Sequence, residues 1–171
     1  MTIGETAPVA DMDFEQALWL VLRAREIGSG SGLNVTVAVH DVAGHPVLVA
    51  RGSDKWHGPY LAMGKARLAA AFRKPTSVLL EGWKDRPLFA MSLPGVLPGE
   101  VTLNPGGYPL HRDGEFVGAI GVGGGSPDDD DRVARLAAEA FAARNQVRDE
   151  ANGSPVSGGH AHTPASGPGT K

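Results

Sequence analysis

A chain of 171 residues with 42% hydrophobic side chains can bury one substantial core and is too short for two. Its formal net charge of -3 comes without a basic cluster, which excludes a nucleic-acid partner held by phosphate neutralisation, and the absence of cysteine excludes disulfides and thiolate metal sites. No stretch approaches the roughly 20 apolar residues of a membrane span, and residues 1–13 carry no basic segment followed by an apolar run, so a cytoplasmic protein with no membrane partner is expected.

Asp13 is placed to cap a first helix, and Gln16 completes a capping box. Phe14, Ala17, Leu18, Val21 and Leu22 share one helical face, and Gly28 and Gly30 end the helix. Leu33 to His40 and Pro46 to Arg51 read as two strands of a hairpin, joined by Asp41-Val42-Ala43-Gly44, a turn that the Asp41 side chain shapes. A loop around Ser53 to Gly58 leads into an alanine-rich helix from about Pro59 to Arg73, stopped by Pro75. A further helical turn or two suits Thr76 to Asp85. From Arg86 to Pro105, the residues Pro87, Pro94, Gly95, Pro98, Gly99 and Pro105 punctuate a stretch expected to be loop.

The run from Gly106 to Gly125 is the most informative. Tyr108 to Arg112 and Glu115 to Val122 form a second hairpin across Asp113-Gly114, a dipeptide that tolerates the positive φ angles of a tight turn. Glycines within a strand mark a bulge or the close approach of a backbone or ligand, which makes this hairpin an expected pocket wall. Tyr108 and His111 fall on opposite faces. Ser126 then caps a last helix with Pro127 at its first position, Asp128 to Asp131 complement its dipole, and Val133, Leu136, Ala137, Ala140 and Phe141 form its buried stripe. The Gly121 to Ser126 segment makes a poor phosphate cradle, because four aspartates follow it and no P-loop lysine does.

The division that results is an arm over 1–12, a single domain over 13–150, and a tail over 151–171 too rich in Gly, Ser, Pro and His to order itself. The fold class is α/β, of the α+β kind: an antiparallel sheet built from two hairpins and flanked by helices. Several residues carry chemistry. His57, in the loop before the second helix, offers an imidazole as iron ligand or general base; His40 ends the first strand with its face unfixed. Lys65 offers a cation, and Tyr108, beside Gly106-Gly107, offers a ring or a phenol to a ligand. His160 and His162 in the tail chelate weakly at most.

Three blocks, Val37 to Val47, Gly64 to Phe72 and Gly106 to Gly125, occur in an order that resembles the GlcG/HbpS family, which includes the C-terminal domain of PduO. The resemblance runs from roughly Phe14 to Ala143 and departs at His40, a position usually apolar. It implies a profilin-like α-β-α domain, a homo-oligomer from dimer to octamer, and haem or a related tetrapyrrole as ligand. The implied pocket comprises Arg51, His57, Lys65, Gly106, Gly107 and Tyr108, with His57 or His40 on iron and Lys65 with Arg51 on the propionates. An alternative is a cofactor-free enzyme acting on a polar or carboxylate-bearing metabolite. There Lys65 and Arg51 position the substrate, and His57, His40 or Tyr108 serves as acid or base. A third reading is an oligomeric scaffold for a partner enzyme.

Overall fold

A computed structural model describes residues 11–97 and 99–152, with backbone alone beyond 144. Helix α1 (Phe14–Ser29) is followed by strands β1 (Thr36–His40) and β2 (Pro46–Ala50), helices α2 (Gly58–Phe72), α3 (Thr76–Trp83) and α4 (Pro87–Val96), strands β3 (Gly107–Arg112) and β4 (Glu115–Gly123), and helix α5 (Pro127–Asn152). The strands form one antiparallel sheet in the order β2-β1-β4-β3. Of the expected arm, residues 1–10 lie outside the described residues, as do 153–171 of the expected tail, including His160 and His162; residues 151 and 152 continue α5.

The sheet is a middle layer, as strand alternation requires when both faces are covered. Val37 and Val39 of β1, with Ile120 and Val122 of β4, pack against Ala17, Leu20, Val21 and Ala24 of α1 and Val133, Ala137 and Phe141 of α5. Ala38 points the other way, onto Ala62 and Ala66 of α2. The buried face of α1 is therefore rotated from the expected one: Phe14 and Leu22 are exposed, and Leu20 and Ala24 take the core positions because the helix meets both β1 and α5. On α5, Leu136 and Ala140 are only half-buried, and Ala134 joins the core in their place.

Both turns form as their residues dictate. Asp41 Oδ1 accepts from the Ala43 and His45 amides at 2.9 and 2.8 Å, and the β3–β4 turn has φ 53° at Asp113 and 83° at Gly114. The glycines of β4 serve backbone approach. A Cβ at Gly121 would collide with the Ala62 carbonyl of α2, and one at Gly118 with the His40 carbonyl, so glycine lets the helix and the neighbouring strand come this near. A register irregularity at Leu110/His111 leaves Val117 as the extra residue of β4, a bulge beside Gly118, whose φ is 151°.

The stretch from Arg86 to Pro105 is not all loop. Pro87 occupies the first turn of α4, where its missing N–H costs no bond, whereas Pro94 lies inside the helix and forfeits one i→i−4 bond shortly before the helix ends. Burial supplies what the punctuation obscures. Leu93 packs with Leu68 and Leu79 in a small separate core, bordered by Phe72, Trp83, Leu97 and Val101. Trp83 lies edge-on to Phe72 and Phe89, at 5.0 and 5.5 Å between ring centroids.

Candidate functional site

Lys65 projects from α2 into the interior with its side chain 2% exposed. Its ammonium donates to Asp130 Oδ2 at 2.7 Å and to the Val122 carbonyl at 2.8 Å, while Asp130 Oδ1 accepts from the Gly125 amide at 2.9 Å. Two buried charges are thus paired and hydrogen-bonded, the condition under which burial of charge is tolerated. The pair fastens α2 to the end of β4 and the first turn of α5. The four aspartates are consequently not equivalent. Asp130 stands three and four positions before Val133 and Ala134 on the buried stripe, a spacing that singles it out in the sequence as the inward-facing member. Ser126 caps α5 through reciprocal bonds with Asp129, which hold the Asp129 carboxyl below its ordinary value.

The Gly106-Gly107-Tyr108 segment packs behind this pair. The Gly107 amide donates to Thr76 Oγ1 at 2.9 Å, and a Cβ on Gly107 would run into the Lys65 carbonyl. Tyr108 donates its phenol proton to Asp131 Oδ2 at 3.0 Å, and Asp131 Oδ1 accepts from the Gly106 amide at 3.3 Å. Burial is the main cause that raises the Tyr108 pKa above its ordinary value, and the Asp131 charge adds to it. Asp130 and Asp131, read from sequence only as dipole complements, are the side chains that organise this region.

A cleft of about 100 Å³ opens beside the pair, lined by Lys55, His57, Leu61, Lys65, Gly123 to Gly125 and Asp130. His57 and Lys65 meet there; Gly106, Gly107 and Tyr108 are not among its lining residues. His57 is exposed at the N-cap of α2 and makes no side-chain capping bond. Trp56 lies edge-on to it at 5.8 Å and to Tyr60 at 6.0 Å, and with Leu61 these rings present an open, largely apolar face. Arg51 is turned to its own loop, with Nε on the Ser53 carbonyl at 2.9 Å and Nη2 on that of Asp54 at 2.6 Å.

His40 lies elsewhere. It is fully buried at the far end of β1, with Nδ1 donating to the Gly44 carbonyl at 2.8 Å and Nε2 without a partner among the described residues. Desolvation lowers its pKa from 6.5 to about 4, only partly offset by the Gly44 bond. It is a neutral core imidazole at neutral pH, out of reach of the cleft. Among the described residues no three His, Asp or Glu side chains are grouped to hold a metal ion, and no helix is long and apolar enough to cross a membrane.

The three-layer domain has known counterparts, and residues 12–139 match the family described as haem degrading protein HbpS-like. The chain belongs to that family. HbpS of Streptomyces reticuli, solved as a double mutant, has 29% identity and a TM-score of 0.70, covering 82% of this chain and 93% of that one. The PduOC:heme complex shares 29% identity with a TM-score of 0.66, covering 76% of this chain and 94% of that one. Klebsiella pneumoniae ORFY, at 20% identity and a TM-score of 0.72 over 84% of this chain and 99% of that one, shares the fold. The corrinoid adenosyltransferase PduO of Salmonella typhimurium is 33% identical over 139 residues; the match takes in 80% of this HbpS-like chain and spans only 40% of that relative's length.

Proposed function

We propose that this HbpS-like chain is a small-molecule-binding protein whose ligand is haem or a related tetrapyrrole, held against the open face at the start of α2 by His57. The observation that carries the reading is the solved heme complex of the PduO C-terminal domain, whose fold and sequence this chain shares over most of its length. The local residues suit such a ligand in kind: an exposed imidazole, the apolar surfaces of Trp56, Tyr60 and Leu61, and the ammonium of Lys55 nearby for a propionate. They do not suit enclosure by one chain. The cleft, at about 100 Å³, falls below the roughly 300–1,000 Å³ of closed small-molecule sites, so the ring would lie on the face and a second copy of the chain would cover it. When bound, haem supplies an iron centre; the chain supplies the imidazole, the apolar bed and the counter-charge. Lys65 is engaged by Asp130 and Arg51 by two loop carbonyls, whereas exposed Lys55, with a single long bond of 3.4 Å to the Gly124 carbonyl, lines the cleft and is the better-placed cation.

The test is a hemin titration followed in the Soret region, with His57→Ala and His40→Ala beside the wild type and the oligomer size measured at each end. Saturable one-to-one binding lost in His57→Ala and kept in folded His40→Ala supports the reading. A featureless wild-type titration overturns it.

A further inference from the structure

At the other end of α2, about 15 Å along the helix from His57, the β1–β2 turn, the outer face of the helix, Leu97 and Gly99 line a second cleft of about 260 Å³. Its walls include Val42, Ala70, Ala71 and Leu97, and His45 and Arg67 line it as well. Arg67 is half-buried, and its one hydrogen bond among the described residues is from Nη1 to the Glu100 carbonyl at 2.7 Å. Among the described residues no carboxylate pairs with it. A guanidinium carries five donors, and with one protein acceptor the others are available to solvent or to a ligand.

The loop after α4 runs close to this cation. A Cβ at Gly99 would lie 2.8 Å from Arg67 Cζ, and the φ of 74° at Gly99 is one that glycine adopts readily. A Cβ added at Gly44, φ 82°, would lie 3.6 Å from Arg67 Cγ, so the β1–β2 turn runs close to the Arg67 stem. The nearby carboxylates are tied to the turn itself. Asp41 Oδ1 accepts from Ala43 and His45, its Oδ2 lies 3.4 Å from His45 Nδ1, and Asp11 Oδ1 accepts from Met12 and Val42.

We propose that this cleft is a binding site for a compact monocarboxylate with an apolar body, the carboxylate meeting the Arg67 fork and His45, the body lying on Ala70, Ala71 and Leu97. A fixed planar fork favours a carboxylate geometrically, and the volume suits a single ring or short branched chain and excludes a tetrapyrrole. This site is separate from the one proposed for haem.

Amide-resolved NMR titration of the wild-type protein with benzoate and isovalerate, each to about 10 mM, tests it, with benzamide as the neutral control. Saturable shifts centred on Gly44, Ala70, Ala71 and Gly99 are expected. Benzamide should bind about tenfold more weakly or worse, as loss of a charge-assisted hydrogen bond dictates. Arg67→Met should lose about tenfold or more, and Ala71→Trp, which keeps the charge and fills the cleft from an exposed position, should abolish binding. Absence of saturable shifts with both carboxylates overturns the proposal, as does equal binding of benzamide or undiminished binding in either folded variant.

Discussion

Removing one member of the Lys65–Asp130 pair should cost far more stability than removing both. Lys65→Met leaves the Asp130 carboxylate buried with the Gly125 amide as its remaining hydrogen-bond donor, and Asp130→Leu strands the ammonium on the Val122 carbonyl. With the two side chains 2% and 6% exposed, solvent cannot take over the missing charge. Breaking a buried pair from one side costs about 3–5 kcal/mol, whereas exchanging both partners for apolar groups is often close to neutral. With a urea m-value of about 2 kcal/mol/M, each single variant should lower the unfolding midpoint by roughly 2 M. The double variant should return to within about 2 kcal/mol of wild type, the residue reflecting the unpartnered Val122 carbonyl and Gly125 amide. Urea titration by far-ultraviolet circular dichroism of the four proteins measures the cycle. A single variant within about 1 kcal/mol of wild type, or a double variant that loses the sum of the two, would refute the assignment of the pair as a mutually dependent clamp.

His40 gives a pH signature. Its folded pKa of about 4 lies below the ordinary 6.5, so both states are neutral above 6.5, and the unfolded chain alone gains a proton as pH falls from there to 4. Stability should therefore drop by about 3 kcal/mol across that window, measured as urea midpoints at pH 7.5 and 4.5, and His40→Gln should flatten the dependence. Gly121→Ala should destabilise by at least about 2 kcal/mol, since its methyl meets the Ala62 carbonyl and, at 2.7 Å, the Ala66 amide nitrogen; an unchanged melting temperature would mean that α2 sits further from the sheet. Ser126→Ala should cost about 1 kcal/mol by thermal melting through loss of the α5 cap, and an equal loss in Ser126→Thr, which keeps the hydroxyl, would show that capping is not the cause.

Local signals carried much of the architecture. Asp13 with Gln16, Asp41 in its turn, Asp113-Gly114 and Ser126-Pro127 each act within a few residues, and each forms as its chemistry requires. What sequence periodicity misassigned depends on partners distant along the chain. The inner face of α1 is chosen by contact with α5, and α4 becomes helical because Leu93 has Leu68 and Leu79 to cover. The glycines of β4 were legible as places of close approach, but their neighbour is peptide backbone from α2 and β1. Lys65 was legible as a cation able to pair with a carboxylate; Asp130, 65 residues on, was hidden within an acidic run in which Asp129 caps the helix and Asp131 holds Tyr108 and Gly106. His40 could not be oriented because one residue of strand register reverses its face.

Fastening α2 at its middle has a consequence for both of its ends. Lys65 ties the helix to Val122 and Asp130, and the glycines at 107 and 121 set it directly on the sheet, so rigid-body movement of α2 would break a buried ion pair and open close backbone contacts. A helix held in this way presents His57 at one end and Arg67 at the other from a common, stiff support, which is the requirement for ligand groups that must stay in place before the ligand arrives. Arg67 also adds its positive charge to the desolvation that keeps His40 neutral. An anion bound at Arg67 would weaken that contribution and raise the His40 pKa. Carboxylate binding in the second cleft should therefore lessen the acid destabilisation attributed to His40, whereas a ligand at His57 should leave it unchanged.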